Sequence, residues 1–279
     1  MKIIFYLKGK KLSRQFKISQ ILNKIFFFFI FFLPHELLAS PCGNPNNIVI
    51  GEGSGFIATY DLKKSNITFG TNTNIFHRIS DNLYSFNIFA CTSGIFKLKK
   101  DDRKETSLFE INNGEVETSS YSFNRVLKGR TDKVATTFNV TDPSGKKLWP
   151  DGKCLSHSAI QNKDGEQEVK HKNSNCRALD RLSVQIDYQE KLKSGKYDVN
   201  YFVIDKGRDR KYIFKLVDTQ VIDTIFGKTE TILIKKIIEG NKRNTLTWYA
   251  INHAFIPVKI EQYRKKTLKF TAYLTSYTD

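Results

Sequence analysis

Tyr84-Ser85-Phe86-Asn87-Ile88 places an aromatic or aliphatic side chain on every second residue and a small polar one between. A strand, with its two-residue period, gathers such a pattern onto one face, so the segment reads as half-buried β-structure. The reading extends to Tyr121-Ser122-Phe123 and to Phe270-Thr271-Ala272-Tyr273-Leu274-Thr275-Ser276-Tyr277, where bulky residues fall mostly on alternate positions. Around them, segments rich in Phe, Tyr, Ile, Val and Thr alternate with Gly, Asn and Asp turns. They run over 56–62, 75–79, 83–90, 107–111, 119–127 and 134–140, then over 199–204, 211–216, 231–237, 245–251, 258–263 and 269–277. This spacing predicts a mainly β fold, an antiparallel sheet joined by hairpins with one face buried and the other wet.

Between the two strand sets, residues 177–192 carry Leu179, Leu182, Ile186 and Leu192 at intervals near three and four, with Asp180 early and Lys191 and Lys193 late. That pattern predicts one amphipathic helix lying on the sheet. Val184 and Tyr188 blur it and leave a strand as the competing reading.

Residues 25–33, IFFFFIFFL, follow the basic residues Lys2, Lys8, Lys10, Lys11, Arg14, Lys17 and Lys24 and precede a small residue, Ala39. As a helix the run spans roughly 14 Å, short of the about 20 apolar residues that cross a bilayer. The order basic, apolar, small is that of a secretory signal peptide, with cleavage expected near Ala39. An uncleaved anchor beginning near Ile18 is the alternative. The expected organisation is a signal peptide over 1–39, a flexible Gly/Asn/Pro-rich leader over 40–55, and a single mainly-β domain over 56–279. The expected location is the periplasm, reached by export through the inner membrane, with no transmembrane helix in the mature chain.

The chain carries 45 Lys and Arg against 28 Asp and Glu, a net charge of +17. Seven of those bases and one acid lie in residues 1–39, so the remainder keeps +11. Such a balance fits either a solvated surface or contact with an anionic partner, whether lipid or envelope polymer. The bases are mostly scattered singly, with clusters at 97–100, 208–211 and 264–266. Export removes nucleic acid as a partner.

Cys42, Cys91, Cys154 and Cys176 would all reach an oxidising compartment, where disulfides form. Cys154 and Cys176 bracket 21 strongly polar residues that read as an excursion, and they are the expected disulfide. Closing such a loop stabilises by about 3 kcal/mol on the chain-entropy model. A second bond, between Cys42 and Cys91, would tie the leader to the sheet. The competing reading is a metal site, because Cys154, His157, His171 and Cys176 approach the spacing of a two-pair zinc shell. The mixed order, the lack of apolar residues to pack a zinc module, and the export signal stand against it, and no metal is expected.

Catalytic patterns are not present. No Ser sits in a nucleophile elbow, and Gly51-x-Gly53 lacks the third glycine of a dinucleotide loop, so no cofactor is expected. His77 and His253 stand alone in the β region. The neighbouring acids Asp101 and Asp102, flanked by Lys99, Lys100, Arg103 and Lys104, read as a solvated turn rather than an acid/base pair.

Several segments in fixed order resemble a known family. They are Phe56-Ile57-Ala58-Thr59-Tyr60-Asp61-Leu62, Gly94-Ile95-Phe96-Lys97-Leu98, Ala178-Leu179-Asp180-Arg181-Leu182-Ser183, Thr247-Trp248-Tyr249-Ala250 and Ile256-Pro257-Val258-Lys259-Ile260-Glu261-Gln262. Over about residues 56–277 the chain is similar to the bacterial domain of unknown function 3108 (DUF3108), a set of exported envelope proteins. The resemblance implies a large curved antiparallel sheet, an unclosed barrel similar to the periplasmic lipoprotein carriers, and supplies no catalytic residue. Its shared residues have structural accounts: Trp248 needs a partner for its N–H, Pro257 suits an edge strand, and Asp180 and Ser183 suit a helix start. The functional expectation is a non-enzymatic envelope protein that binds a lipid, another apolar ligand or an envelope partner. A hydrolase acting on an envelope polymer or glycan is the alternative.

Overall fold

The computed structural model describes residues 55–138, 153–175 and 177–279. The expected signal peptide over 1–39, nearly all of the leader, Cys42 and Cys176 lie outside them. The described residues form one fifteen-stranded sheet in the order β8-β7-β6-β5-β4-β3-β2-β1-β15-β14-β13-β12-β11-β10-β9. Its first arm holds β1 (Gly55–Lys64), β2 (Ile67–Arg78), β3 (Leu83–Thr92), β4 (Asp101–Asn112), β5 (Glu115–Leu127), β6 (Arg130–Thr137), β7 (Lys153–Gln161) and β8 (Gln167–Asn175). After β9 (Leu179–Asp180) and helix α1 (Ser183–Lys193) come β10 (Val199–Asp205), β11 (Arg208–Thr224), β12 (Gly227–Ile238), β13 (Arg243–Ala250), β14 (Ile256–Arg264) and β15 (Thr267–Thr278). Each neighbour pairs antiparallel except β9 with β10. The closing contact is β1 with β15, so the chain's two arms meet in the middle of the sheet.

Short turns with left-handed residues make this meander. Asn113 and Gly114 both have positive φ, as do Lys128 with Gly129 and Lys206 with Gly207. Two consecutive residues of that kind form the type I′ turn whose twist matches an antiparallel hairpin. Gly207 carries a second constraint, because a Cβ built on it would lie 2.8 Å from the Ile160 side chain. The β10–β11 turn therefore sits hard against β7. The sheet rolls far enough to bring these strands together, yet β8 and β9 do not pair, and the barrel stays open.

The core lies inside the roll. Phe56, Phe76, Tyr84 and Phe109 form an aromatic ladder across β1 to β4, with ring centroids 5.4 Å apart for the first two pairs and 6.3 Å for Tyr84 and Phe109. α1 fills the space opposite, with Val184, Ile186, Tyr188 and Leu192 buried against strands of both arms. Val184 and Tyr188, which blur the amphipathic pattern, are fully buried because the helix is wrapped on several sides rather than laid on one.

The helix begins at Ser183, later than the periodicity of 177–192 indicates. Asp180 ends β9 and its carboxylate accepts the N–H groups of Leu182 (2.6 Å) and Ser183 (3.2 Å), while Ser183 Oγ accepts the N–H of Asp180 (3.0 Å). That reciprocal arrangement satisfies backbone donors at the helix start. Trp248 Nε1 donates to Gln220 Oε1 at 2.8 Å. Pro257 is in an interior strand, not at an edge. It is tolerated because the β13–β14 register slips beside it, between Trp248 and Tyr249.

The polar stretch read as an excursion is a hairpin, β7 and β8, that continues the sheet to its edge. Cys154 lies in β7, opposite Ser174, and His157 faces His171 across the hairpin. The bond expected between Cys154 and Cys176 falls outside the described residues. Cys91 is disulfide-bonded.

Candidate functional site

Alternate turns of an antiparallel meander land on the same rim of the sheet. That rule collects the β1–β2, β3–β4, β5–β6, β12–β13 and β14–β15 connections at one end. The turns there are bonded to one another: Lys128 N–H donates to the Lys100 carbonyl (3.2 Å) and Lys265 N–H to the Lys242 carbonyl (2.6 Å). Bases scattered through the sequence thus become one basic rim, including Lys64, Lys97, Lys100 and Lys128. Among the described residues none of these four makes an ion pair. The described hairpin turns of the opposite rim, at 79–82, 113–114, 225–226 and 251–255, hold no Lys or Arg. Two bases near that end meet acids, Arg78 with Asp81 (3.7 Å) and Arg177 with Glu115 (3.9 Å).

A cavity of about 550 Å³ opens on the basic rim. Ile67, Phe69, Phe96 and Leu127 give it apolar walls, and Lys64, Lys128 and Lys269 stand beside them. Phe96 comes from a 3-10 turn, Gly94–Lys99, between β3 and β4, and meets Phe69 edge to face at 6.3 Å. A second, smaller hollow shares Lys64, Ser65 and Lys269 and extends along β14 and β15 past Leu268 and Phe270. The larger cavity is thus apolar-walled and edged with ammonium groups, while the smaller hollow is more polar and includes Glu261.

Asp101 is the single carboxylate among the residues lining the larger cavity. The expected solvated turn at Asp101 and Asp102 is instead the start of β4, and Asp102 is buried. Both Asp101 oxygens are taken by guanidinium groups: Arg125 at 2.7 and 2.9 Å, Arg103 at 3.1 and 2.9 Å. Burial alone would raise its pKa, but the bonds from Arg125 and Arg103 prevail and hold the carboxyl well below the usual range. A carboxylate so clamped is a poor general acid or base.

A second polar cluster lies inside the roll. Arg181, from the β9–α1 junction, approaches Glu105 of β4 (3.2 Å) and Asp205 of β10 (3.8 Å). Tyr121 donates to Glu105 (2.8 Å) and Tyr212 to Asp205 (3.0 Å). Burial, then Arg181, lowers the Lys206 and Lys236 amines to about 8. Ser107 donates to Asp180 at 2.5 Å. Burial pushes the Asp180 carboxyl up to about 6, against the bonds from Ser107, Leu182 and Ser183 that favour its charged form. These contacts join strands of both arms to the helix start; the charges of Arg181, Glu105 and Asp205 offset one another, while Asp205 Oδ1 is left without a hydrogen bond.

The two lone histidines stay apart from both clusters; His253 stacks on Phe226 with centroids 3.9 Å apart. Among the described residues no group of three His, Cys, Asp or Glu is placed to hold a metal. No helix among them is long and apolar enough to cross a membrane.

A family model described as "protein of unknown function (DUF3108)" matches residues 59–272. Among solved structures, a beta-barrel-like protein of domain of unknown function DUF1849 from Brucella abortus is similar at a TM-score of 0.54 and 9% identity. The similarity covers 81% of this chain and 97% of that one, and it concerns the fold alone. No curated protein matches the chain.

Proposed function

Because the chain belongs to the DUF3108 family, which brings a fold and no reaction, we propose a function from its rim: an exported, non-enzymatic envelope protein that binds a lipid or acyl chain bearing an anionic group. The cavity carries the reading. Its volume lies within the roughly 300–1,000 Å³ of small-molecule sites, and its apolar walls and flanking lysines match an acyl chain and an acidic head. Export to the periplasm is supported by the basic lead, the short apolar run at 25–33 and Ala39. The rival reading, a polymer hydrolase, calls for two carboxylates facing each other about 5–9.5 Å apart across a groove. The larger cavity offers Asp101 alone, held by two arginines.

The experiment is to purify the full chain from its host, extract it with organic solvent and identify what is released by mass spectrometry. A stoichiometric amphiphile with an acidic head is the expected result, and its loss in Phe96→Asp assigns it to the cavity. A protein that carries no lipid and takes up none when offered would defeat the reading.

A further inference from the structure

We propose that the basic rim is a docking surface for an anionic phospholipid membrane, with the β3–β4 turn as its inserting element. The proposal rests on the ligand reading above, since docking in this orientation turns the cavity mouth toward the lipid.

Charge is the first observation. The topology concentrates unpaired lysines on one rim and leaves the hairpin turns of the other without any. The second is apolar exposure at the same place. Leu98 is 93% exposed, Ile95 79% and Ile67 60%, the three highest values among the large exposed hydrophobic residues apart from Phe202 and Val221 on other strands. Ile95 and Leu98 flank Lys97 in the 3-10 turn, whose remaining apolar residue, Phe96, lines the cavity. Apolar side chains standing among lysines suit a bilayer interface, where the former enter the acyl boundary and the latter meet lipid phosphates. A soluble polyanion rewards the lysines and has no use for Leu98 or Ile95, which decides between the two anionic partners.

The test is co-sedimentation of the full chain with phosphatidylcholine vesicles, with and without phosphatidylglycerol. The wild type is expected to bind when phosphatidylglycerol is present and to be released by salt. Each lysine near an anionic surface is worth about five-fold in partitioning, so Lys97→Glu/Lys100→Glu/Lys128→Glu should weaken binding at least about 100-fold. Ile95→Glu/Leu98→Glu should weaken it about ten-fold or more. Lys228→Glu and Ile79→Glu, at the opposite end, should leave binding within about two-fold, the distance there exceeding a Debye length. All five proteins share one N-terminus, so that segment cannot produce the difference. Binding that is indifferent to the rim variants would overturn the proposal. So would loss in the lysine variant with full retention in Ile95→Glu/Leu98→Glu, which would point to a soluble polyanion instead. Uptake of a fluorescent fatty acid, measured without vesicles on the same proteins, separates the two readings. Uptake without docking leaves the ligand reading standing, and docking without uptake in the wild type removes that reading alone.

Discussion

The Arg181 cluster and the basic rim are both polar, but they differ in whether their groups have partners. Inside the roll, Arg181 faces two carboxylates, each also bonded to a tyrosine, and Asp180 takes three donors. At the rim, Lys64, Lys97, Lys100 and Lys128 are in no ion pair among the described residues, and Ile95 and Leu98 lack cover. Groups that satisfy one another are committed to the fold, since breaking them costs the full penalty of a buried unpaired group. Groups left unsatisfied are free for something else. On this comparison Asp180-Arg181-Leu182-Ser183, the most recognisable segment of the family resemblance, is structural, and the plain lysines of the turns are the groups proposed to bind.

The contrast is broken most forcefully at Asp180. Asp180→Ala leaves the Ser107 hydroxyl and two backbone donors unpaired at the helix start, and a loss of about 3–4 kcal/mol is expected in denaturant unfolding. A loss under 1 kcal/mol would remove the cluster's structural status.

The next effect concerns pH. Asp180 has a folded-state pKa of about 6, above the 3.8 of an unperturbed aspartate. The folded state therefore binds the proton more tightly, and stability falls as pH rises from about 4 to 6, by up to about 3 kcal/mol, then levels off. Asp101 acts in the opposite sense and in another window. Its pKa is depressed, so its stabilisation is present above the ordinary carboxylate value and is lost as pH falls below it. Urea midpoints across pH 4–7 should show the fall in wild type and lack it in Asp180→Asn, whose amide oxygen still accepts the two backbone N–H groups, whose NH2 donates to the Ser107 oxygen, and which does not titrate.

The smallest stability effect belongs to the rim. Lys128→Glu should move the unfolding free energy by no more than about 0.5 kcal/mol, as for other exposed charges without a partner. It should nevertheless weaken the binding of an acidic amphiphile. A large stability loss in this variant would mean that the rim is structural too.

Twelve strands were legible in the sequence because aromatic and β-branched residues mark their buried faces. β7 and β8 were not, and Ser156 and Ser158 show why: both are buried, with Ser158 bonded to Thr136 (2.9 Å) and pressed by Gly207. The close approach of the Gly207 turn suits a small side chain at Ser158, and a strand with two serines on its inner face looks polar. The helix start was obscured because Asp180 draws the backbone into a cap one turn later than the apolar spacing begins. Asp101 was misread because its partner Arg125 is 24 residues away and arrives by sheet register. The basic rim was hidden for the same reason. Its lysines come from separate hairpins, and only the alternation of up and down strands puts them side by side.

The most direct measurement of the central claim is a titration of the full chain with a fluorescent fatty acid, comparing wild type, Phe96→Asp and Asp180→Asn. Binding in wild type and in Asp180→Asn, with a drop of ten-fold or more in folded Phe96→Asp, is the predicted outcome. Equal affinity in all three, or none in wild type, contradicts the claim that the unsatisfied rim is the working site.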